Sequence, residues 1–304
     1  METEPISSGG IALDLSSPRV VNDLLKEHGL RAQKRLGQNF LCDRNSLNRI
    51  AEAAEICADD PVLEIGGGLG GLTVTLAALT SKVTTVEIDH QLEPLLRVAV
   101  APHPNVHLVF NDFLKVDHDA LFAESFGDKP GTVVANIPYY ISSPILEVLL
   151  EHKKWLRKIV LLVQKEFAVR LCAAAGSDEC GSLSLYGQYH AQVKIAGAVS
   201  RSVFLPVPDV DSSILVLTPI QEGAVPVKDP DRMFTLIRAG FGQRRKTLLN
   251  ALMRAPASFG LEFGMEDREK IEALLHSVGV NPMRRGETLN LDEYARIADA
   301  SLSL

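Results

Sequence analysis

The sequence predicts an α/β protein: a parallel sheet covered by helices on both faces, followed by a small all-helical domain. Three observations carry this reading. Short apolar runs alternate with helical patterns from Val62 to Val163, the order that builds βαβ units. The stretch from Val193 to Leu217 is strand-rich, as in antiparallel strands added at a sheet edge. Beyond residue 230 the patterning is wholly helical.

In order along the chain, residues 18–60 read as helical, and Ala51-Glu52-Ala53-Ala54 is a strong helix-forming run. Strands are expected at Val62–Ile65, Lys82–Glu87, Val106–Phe110, Thr132–Ala135 and Ile159–Val163, where apolar runs are short enough to be buried strands. Helices fall between them, including Leu72–Leu79 and Gln91–Ala99. Pro219–Pro230 has no clear period and reads as a linker. Helices follow at Asp231–Gly240, Arg244–Met253, Asp267–Ser277 and Leu291–Ala300. The expected organisation is a loose tail over 1–17, a sheet domain over 18–219 and a helical domain over 220–304.

A chain of 304 residues can hold one large domain and one small one. Its hydrophobic fraction of 46% and charged fraction of 23% are those of a soluble globular protein. No run of about 18 apolar residues occurs, so neither a membrane span nor a membrane partner is expected. Met1 to Ser17 holds Glu2, Glu4 and Asp14 but no Lys or Arg, unlike a signal or transit peptide. That points to the cytoplasm. Cys42, Cys57, Cys172 and Cys180 have no C-x-x-C spacing and read as reduced thiols. His103 and His107 lie in a turn broken by Pro102, Pro104 and Asn105, so no metal site is expected. The net charge of −7 argues weakly against a nucleic-acid partner. Distribution matters more than the sum. Basic residues gather at Arg31 to Arg35, at Lys153-Lys154 with Arg157-Lys158, and at Arg244-Arg245-Lys246, each beside a candidate site segment.

Glu64-Ile65-Gly66-Gly67-Gly68-Leu69-Gly70-Gly71 stands between the first sheet strand and its helix. Gly66, Gly68 and Gly71 fit G-x-G-x-x-G, with Glu87 about 20 residues on, as in a Rossmann-like dinucleotide site. Glu64 speaks against that ligand, because its carboxylate would face an anionic pyrophosphate. S-adenosylmethionine has no phosphate; it carries a sulfonium, an ammonium and one carboxylate, and acidic neighbours favour it. Glu87, ending the second strand, can accept from both ribose hydroxyls. Asp112, after the third strand, can accept from the adenine amine. Acids placed in this order favour a Rossmann-like class I S-adenosylmethionine-dependent methyltransferase sheet.

Asn136-Ile137-Pro138-Tyr139 follows the strand Thr132–Ala135. An amide oxygen and a backbone carbonyl beside a proline can accept both hydrogens of an exocyclic amine, and the tyrosine can stack on its ring. The set suggests methyl transfer to an amino nitrogen on a planar base. An ordinary strand-end turn is the other reading of the same four residues.

The chain resembles the ribosomal RNA small-subunit adenine N6,N6-dimethyltransferase family (KsgA/RsmA type). The resemblance runs from about Lys34 to Leu252. It is carried by Lys34-Arg35-Leu36-Gly37-Gln38-Asn39-Phe40-Leu41, Glu64-Ile65-Gly66, Val86-Glu87-Ile88-Asp89, Asn111-Asp112-Phe113, Asn136-Ile137-Pro138-Tyr139-Tyr140 and Gln164-Lys165-Glu166. It closes with Phe204 to Pro208, Val210-Asp211-Ser212 and Gln243 to Leu248. It implies an enzyme that dimethylates two adjacent adenosines in the 3′-terminal hairpin of 16S rRNA, in the immature small ribosomal subunit. It also implies that Asn39 and Leu41 line the methionine end of S-adenosylmethionine, with Gly66, Glu87, Asp112 and Asn136 completing the set. Gln38, Glu64, Gly68, Ile88 and Phe113 join these as candidate cofactor residues. Asn136, Ile137, Pro138 and Tyr139 are the candidate catalytic group. Lys34, Arg35, Tyr140, Phe204, Arg244, Arg245 and Lys246 are the candidate RNA contacts, with the last three opening a helix. A monomer is expected. Gly67 stands where the family usually has proline, and Asp209 where it often has a basic residue. Three rivals remain: a large-subunit rRNA adenine methyltransferase of the resistance type, a non-catalytic assembly factor on the same fold, and, more distantly, an NAD-dependent dehydrogenase.

Overall fold

The computed structural model describes residues 14–256 and 267–302. The expected tail therefore lies outside the described residues up to residue 13. The chain divides into two compact units: one runs to Gln164 and resumes over Ala196–Ile214, the other comprises Lys165–Ile195 and the chain from Leu215.

The first unit begins with α1 (Pro18–Glu27), β1 (Phe40–Leu41) and α2 (Arg44–Ala54). The Asp43 side chain accepts from Ser46 N at 2.8 Å and starts α2. Leu47, Ile50, Ala51 and Ala54 then recur at helical spacing and bury one stripe. The βα alternation follows as β2 (Val62–Ile65), α3 (Gly71–Ala77), β3 (Val83–Glu87), α4 (Glu93–Val100), β4 (Val106–Phe110), α5 (His118–Phe126), β5 (Gly131–Asn136), α6 (Ser142–Glu151) and β6 (Leu156–Gln164). Strands β2 and β3 are buried along their whole length, Glu64, Thr84 and Thr85 included, so neither shows the alternation of a half-exposed strand. The expected helical span 18–60 thus also contains β1, which pairs antiparallel with β8 (Phe204–Leu205).

The second unit holds α7 (Lys165–Cys172), α8 (Ser182–His190), α9 (Pro230–Gly242), α10 (Leu248–Met253), α11 (Arg268–Ser277) and α12 (Leu291–Ser301). Its core gathers Leu185, Met233, Leu236, Ile237, Leu248 and Tyr294. Asn290 and Glu293 cap α12 reciprocally. Strands β7 (Ala191–Val199) and β9 (Ser212–Pro219) run through both units. The seven-stranded sheet has the order β4-β3-β2-β5-β6-β9-β7, and its first four pairings are parallel. No helix among the described residues is long and apolar enough to cross a membrane.

Candidate active site

The sheet grows from β2 through β3 to β4 on one side, then resumes at β5 on the other side of β2. Loops leaving β2 and β5 diverge, and a crevice opens at the carboxyl ends of the strands. The cleft found there has a volume of about 920 Å³ including its open mouth. Register brings Ile65 level with Val86 and Ala135, and Glu87 level with Phe110. Residues placed just after each strand end therefore converge: Gly66, Glu87, Asp112 and Asn136 all line the cleft.

The buried Glu87 carboxylate accepts from Gly68 N at 2.7 Å and from Asp89 N at 2.8 Å. Burial raises its pKa above the ordinary carboxylate value, and these N–H groups work against that shift. Asp112 accepts from Leu114 N at 3.0 Å and pairs with Lys115 at 3.0 Å. Gln38, Asn39, Gly68, Ile88 and Phe113 also face the cleft. The Gln38 amide is already engaged at both ends, donating to Asp89 Oδ2 at 2.7 Å and accepting from Gln33 N at 2.8 Å. Leu41 lines a smaller cavity beneath the glycine loop, shared with Leu15, Gly66, Gly68 and Asn136.

At the end of β5, Asn136 Nδ2 makes a long contact of 3.5 Å with the Asn39 carbonyl. Its Oδ1 has no partner among the described residues and is the acceptor left for an incoming amine. Ile137, Pro138, Tyr139, Tyr140 and Phe204 line the same cleft. The Tyr139 hydroxyl lies 2.9 Å from Ser212 Oγ, which ties its ring to the start of β9. Burial raises the Tyr139 phenol above its ordinary pKa, with the Ser212 bond opposing. Tyr140 is 62% exposed, whereas Phe204 is buried. Gly37 has φ +60°, and a Cβ there would meet Pro138 Cβ at 3.0 Å and Tyr140 Cε1 at 3.1 Å. Glycine alone lets the segment before β1 turn and lie against Pro138 and Tyr140.

Glu64 is placed differently from expectation. It lines neither cavity, and its side chain is fully buried. Thr73 Oγ1 and Thr85 Oγ1 donate to its Oε2 at 2.5 and 2.9 Å. The physical reason is position: Glu64 sits within β2, so its side chain leaves the strand sideways instead of emerging at its end. Burial pushes the carboxyl up to about 7 from 4.5, against the two threonine hydroxyls. The folded protein favours the neutral acid. Its stabilisation is complete below the ordinary value and is lost as pH rises through about 7. The melting temperature is expected to fall between about pH 5 and about pH 8, and Glu64→Gln is expected to flatten that fall. An equal fall in the variant would assign the dependence to another group.

Gly67 also has a local cause. A Cβ at this position would stand 2.5 Å from Thr85 Cγ2, on the residue that bonds Glu64. Gly67→Ala is expected to destabilise by about 1–3 kcal/mol through overpacking. Thr85→Ser, which removes the methyl and keeps the hydroxyl, should restore most of the loss in a denaturant titration. Failure to restore would place the cost in the backbone.

The basic clusters separate on inspection. Lys34 and Arg35 are exposed in a 3-10 turn before β1, and Arg35 Nε donates to Gln33 Oε1 at 2.8 Å. Lys154 pairs with Asp119 at 3.0 Å, Arg157 with Asp60 at 3.2 Å, and Lys158 with Glu55. This second cluster stands at the start of β6, at the opposite end of the parallel strands from the cleft. Arg244, Arg245 and Lys246 do not open a helix, because α10 starts after the Thr247 cap. The Arg244 guanidinium pairs with Glu287 at 2.6 Å and donates to the carbonyls of Asp178 and Cys180, so it braces its own unit. Arg245 and Lys246 lie in the preceding turn.

Residues not named as candidate site residues from the sequence also form the walls: Leu36, Phe40, Val86 and Asn111, which stand within the motifs of the resemblance, and Leu114 and Ile145. Most are apolar neighbours of residues singled out at strand ends, and that adjacency was their available signal. Leu15, inside the expected tail, is only 6% exposed, and neighbouring Asp14 pairs with Arg44 at 2.8 Å. No local pattern announces that packing.

The family described as ribosomal RNA adenine dimethylase matches residues 29–295. The ribosomal RNA small subunit methyltransferase A of Bacillus mycoides (strain KBAB4) is 43% identical over 288 residues, covering 94% of this chain and 97% of that protein. Among solved structures, a dimethyladenosine transferase from Plasmodium falciparum is similar with a TM-score of 0.70 and 27% identity, covering 84% of this chain and 94% of that one. The 23S rRNA methyltransferase ErmE is similar with a TM-score of 0.64 and 29% identity, covering 86% and 99%. The strand-end cleft thus sits in a class I Rossmann-like methyltransferase sheet, and the chain belongs to the ribosomal RNA adenine dimethylase family.

Proposed function

We propose that this protein uses S-adenosylmethionine to dimethylate the N6 amines of two adjacent adenosines in the 3′-terminal hairpin of 16S rRNA. It acts as a monomer in the cytoplasm, on the immature small subunit. One observation carries the reading: the Asn136 to Tyr139 set opens into the same cleft as Glu87 and Asp112. Amine acceptors and cofactor acceptors thereby share one space.

The donor set fits this cofactor. Glu87 can take ribose hydroxyls, Asp112 the adenine amine, and Val86, Ile88, Phe113 and Leu114 can wall the base. Asn39 and Gly66 stand toward the methionine end, while Glu64 lines neither cavity and acts on the site only by holding Thr73 and Thr85. When bound, S-adenosylmethionine supplies an electrophilic methyl group for in-line displacement onto an amine.

The remaining work belongs to the chain. Asn136 Oδ1 and the Ile137 carbonyl accept the two N6 hydrogens, hold the amine in line and favour a more tetrahedral nitrogen. Tyr139, braced by Ser212, stacks on the target base, and Tyr140 adds an exposed face. Unstacking a base costs a few kcal/mol, which stacking of about 1–3 kcal/mol per base can offset. No strong general base is required, because alkylated nitrogen is acidic enough to lose its proton to water. Catalysis is then chiefly positioning. Lys34, Arg35, Arg245 and Lys246 are the exposed cations offered to RNA phosphates, with the region beyond residue 220 as the RNA-contacting domain.

Labelled S-adenosylmethionine incubated with separated subunits tests the target. Label on small-subunit RNA supports the proposal. Label confined to large-subunit RNA would move the protein to the activity that ErmE is named for. Tight subunit binding without label would make it an assembly factor.

A further inference from the structure

Asp89 is buried, yet it lines neither cavity. Two side-chain amides converge on one of its oxygens: Gln33 Nε2 and Gln38 Nε2 both donate to Oδ2 at 2.7 Å. Gln33 N donates to Gln38 Oε1 at 2.8 Å, and Gln33 Oε1 accepts from Arg35 Nε at 2.8 Å. The other Asp89 oxygen accepts from Gln91 N at 3.1 Å, and the Asp89 N–H donates to Glu87 Oε1 at 2.8 Å. One buried acid therefore joins residues 33–38 to the strand end that carries Glu87.

The segment needs such a tie. Between α1 and β1 its only regular structure is the 3-10 turn Lys34–Leu36. Gln38 and Asn39, which line the cleft, follow after Gly37. A segment left loose here would have to be ordered on each binding event, and that ordering weakens affinity.

We propose that Asp89 is a positioning residue: by clasping the Gln33 and Gln38 amides it holds residues 33–39 over the cleft and so sets the affinity for the cofactor. This rests on the cleft being the S-adenosylmethionine site. The clasp also fixes the Lys34-Arg35 turn through Gln33, so the cofactor mouth and an RNA-facing turn share one anchor.

The test is calorimetric binding of S-adenosylhomocysteine to the full chain. Asp89→Asn and Gln33→Ala are each expected to weaken binding, Asp89→Asn by about ten-fold. The double variant should lose less than the product of the two single losses, because both changes break the Gln33–Asp89 bond. KM for the cofactor should rise in step, while kcat at saturation stays within about two-fold of wild type. Gln33→Ala is the decisive variant: it lies outside the cleft and leaves the Asp89 cap on Gln91 intact. Wild-type affinity in Gln33→Ala, with loss in Asp89→Asn, would reduce Asp89 to a turn cap and overturn the clasp. Losses that multiply in the double variant would overturn it too. No binding by the wild-type protein would overturn the cofactor reading itself, and the clasp with it.

Discussion

Asn136→Ala is expected to lower kcat by roughly 10²–10³-fold, the range for losing one group that aligns or stabilises the reacting centre. S-adenosylhomocysteine affinity should stay within a few-fold. The split follows from geometry. Among the described residues the Asn136 side chain makes one hydrogen bond, the long 3.5 Å contact with the Asn39 carbonyl, so its loss removes little that shapes the cofactor side. Its Oδ1 has no partner among the described residues and can serve the amine. Adenine N6 is a poor nucleophile because its lone pair is delocalised into the ring, so its orientation decides the rate. Single-turnover kinetics with saturating cofactor would check this. A variant with near wild-type turnover would remove Asn136 from the amine site.

Glu87→Ala should produce the largest loss in cofactor binding, on the order of a hundred-fold by calorimetry. Two effects add. The ribose acceptor disappears, and the Gly68 and Asp89 N–H groups lose the carboxylate that receives them. The Gly68 bond also shapes the glycine loop, so a moderate drop in melting temperature should accompany the loss. Ribose hydroxyls donate to the ionised carboxylate. Burial raises the Glu87 pKa, so wild-type affinity should begin to fall at a higher pH on acidification than an ordinary glutamate would allow. A pH-independent affinity, or unchanged binding in Glu87→Ala, would place the ribose elsewhere.

The strand ends were legible because two constraints coincide there. A parallel strand buried on both faces reads as a largely apolar run without alternation, as at Thr132–Ala135, and the residue that ends it stands out by its polarity. Glu87, Asp112 and Asn136 were visible for this reason. Glu64 was visible too, but its direction was not. It lies inside β2, and only the pleat tells whether a side chain meets Thr73 and Thr85 or the cleft.

What remained hidden is non-local. Two-residue strands such as β1 and β8 carry no period and exist through their mutual pairing across Phe40–Leu205 and Leu41–Phe204. Arg244 looked like a free phosphate ligand until Glu287 and the Asp178 and Cys180 carbonyls were found around it. The Gln38 amide looked available for the cofactor until Asp89 and Gln33 proved to hold both its ends. Leu15 read as part of a loose tail, yet it packs with Val21, Leu25 and Phe40. In each case a distant residue supplies the partner, and a linear reading does not register it.

The most direct test of the central claim is the chemical identity of the product. Small subunits lacking the modification would be incubated with the protein and labelled S-adenosylmethionine, the RNA digested, and its nucleosides resolved by mass. The account predicts N6,N6-dimethyladenosine at two adjacent positions of the 3′-terminal hairpin. Unmodified hairpin adenosines, with the label absent or on another RNA, would contradict it.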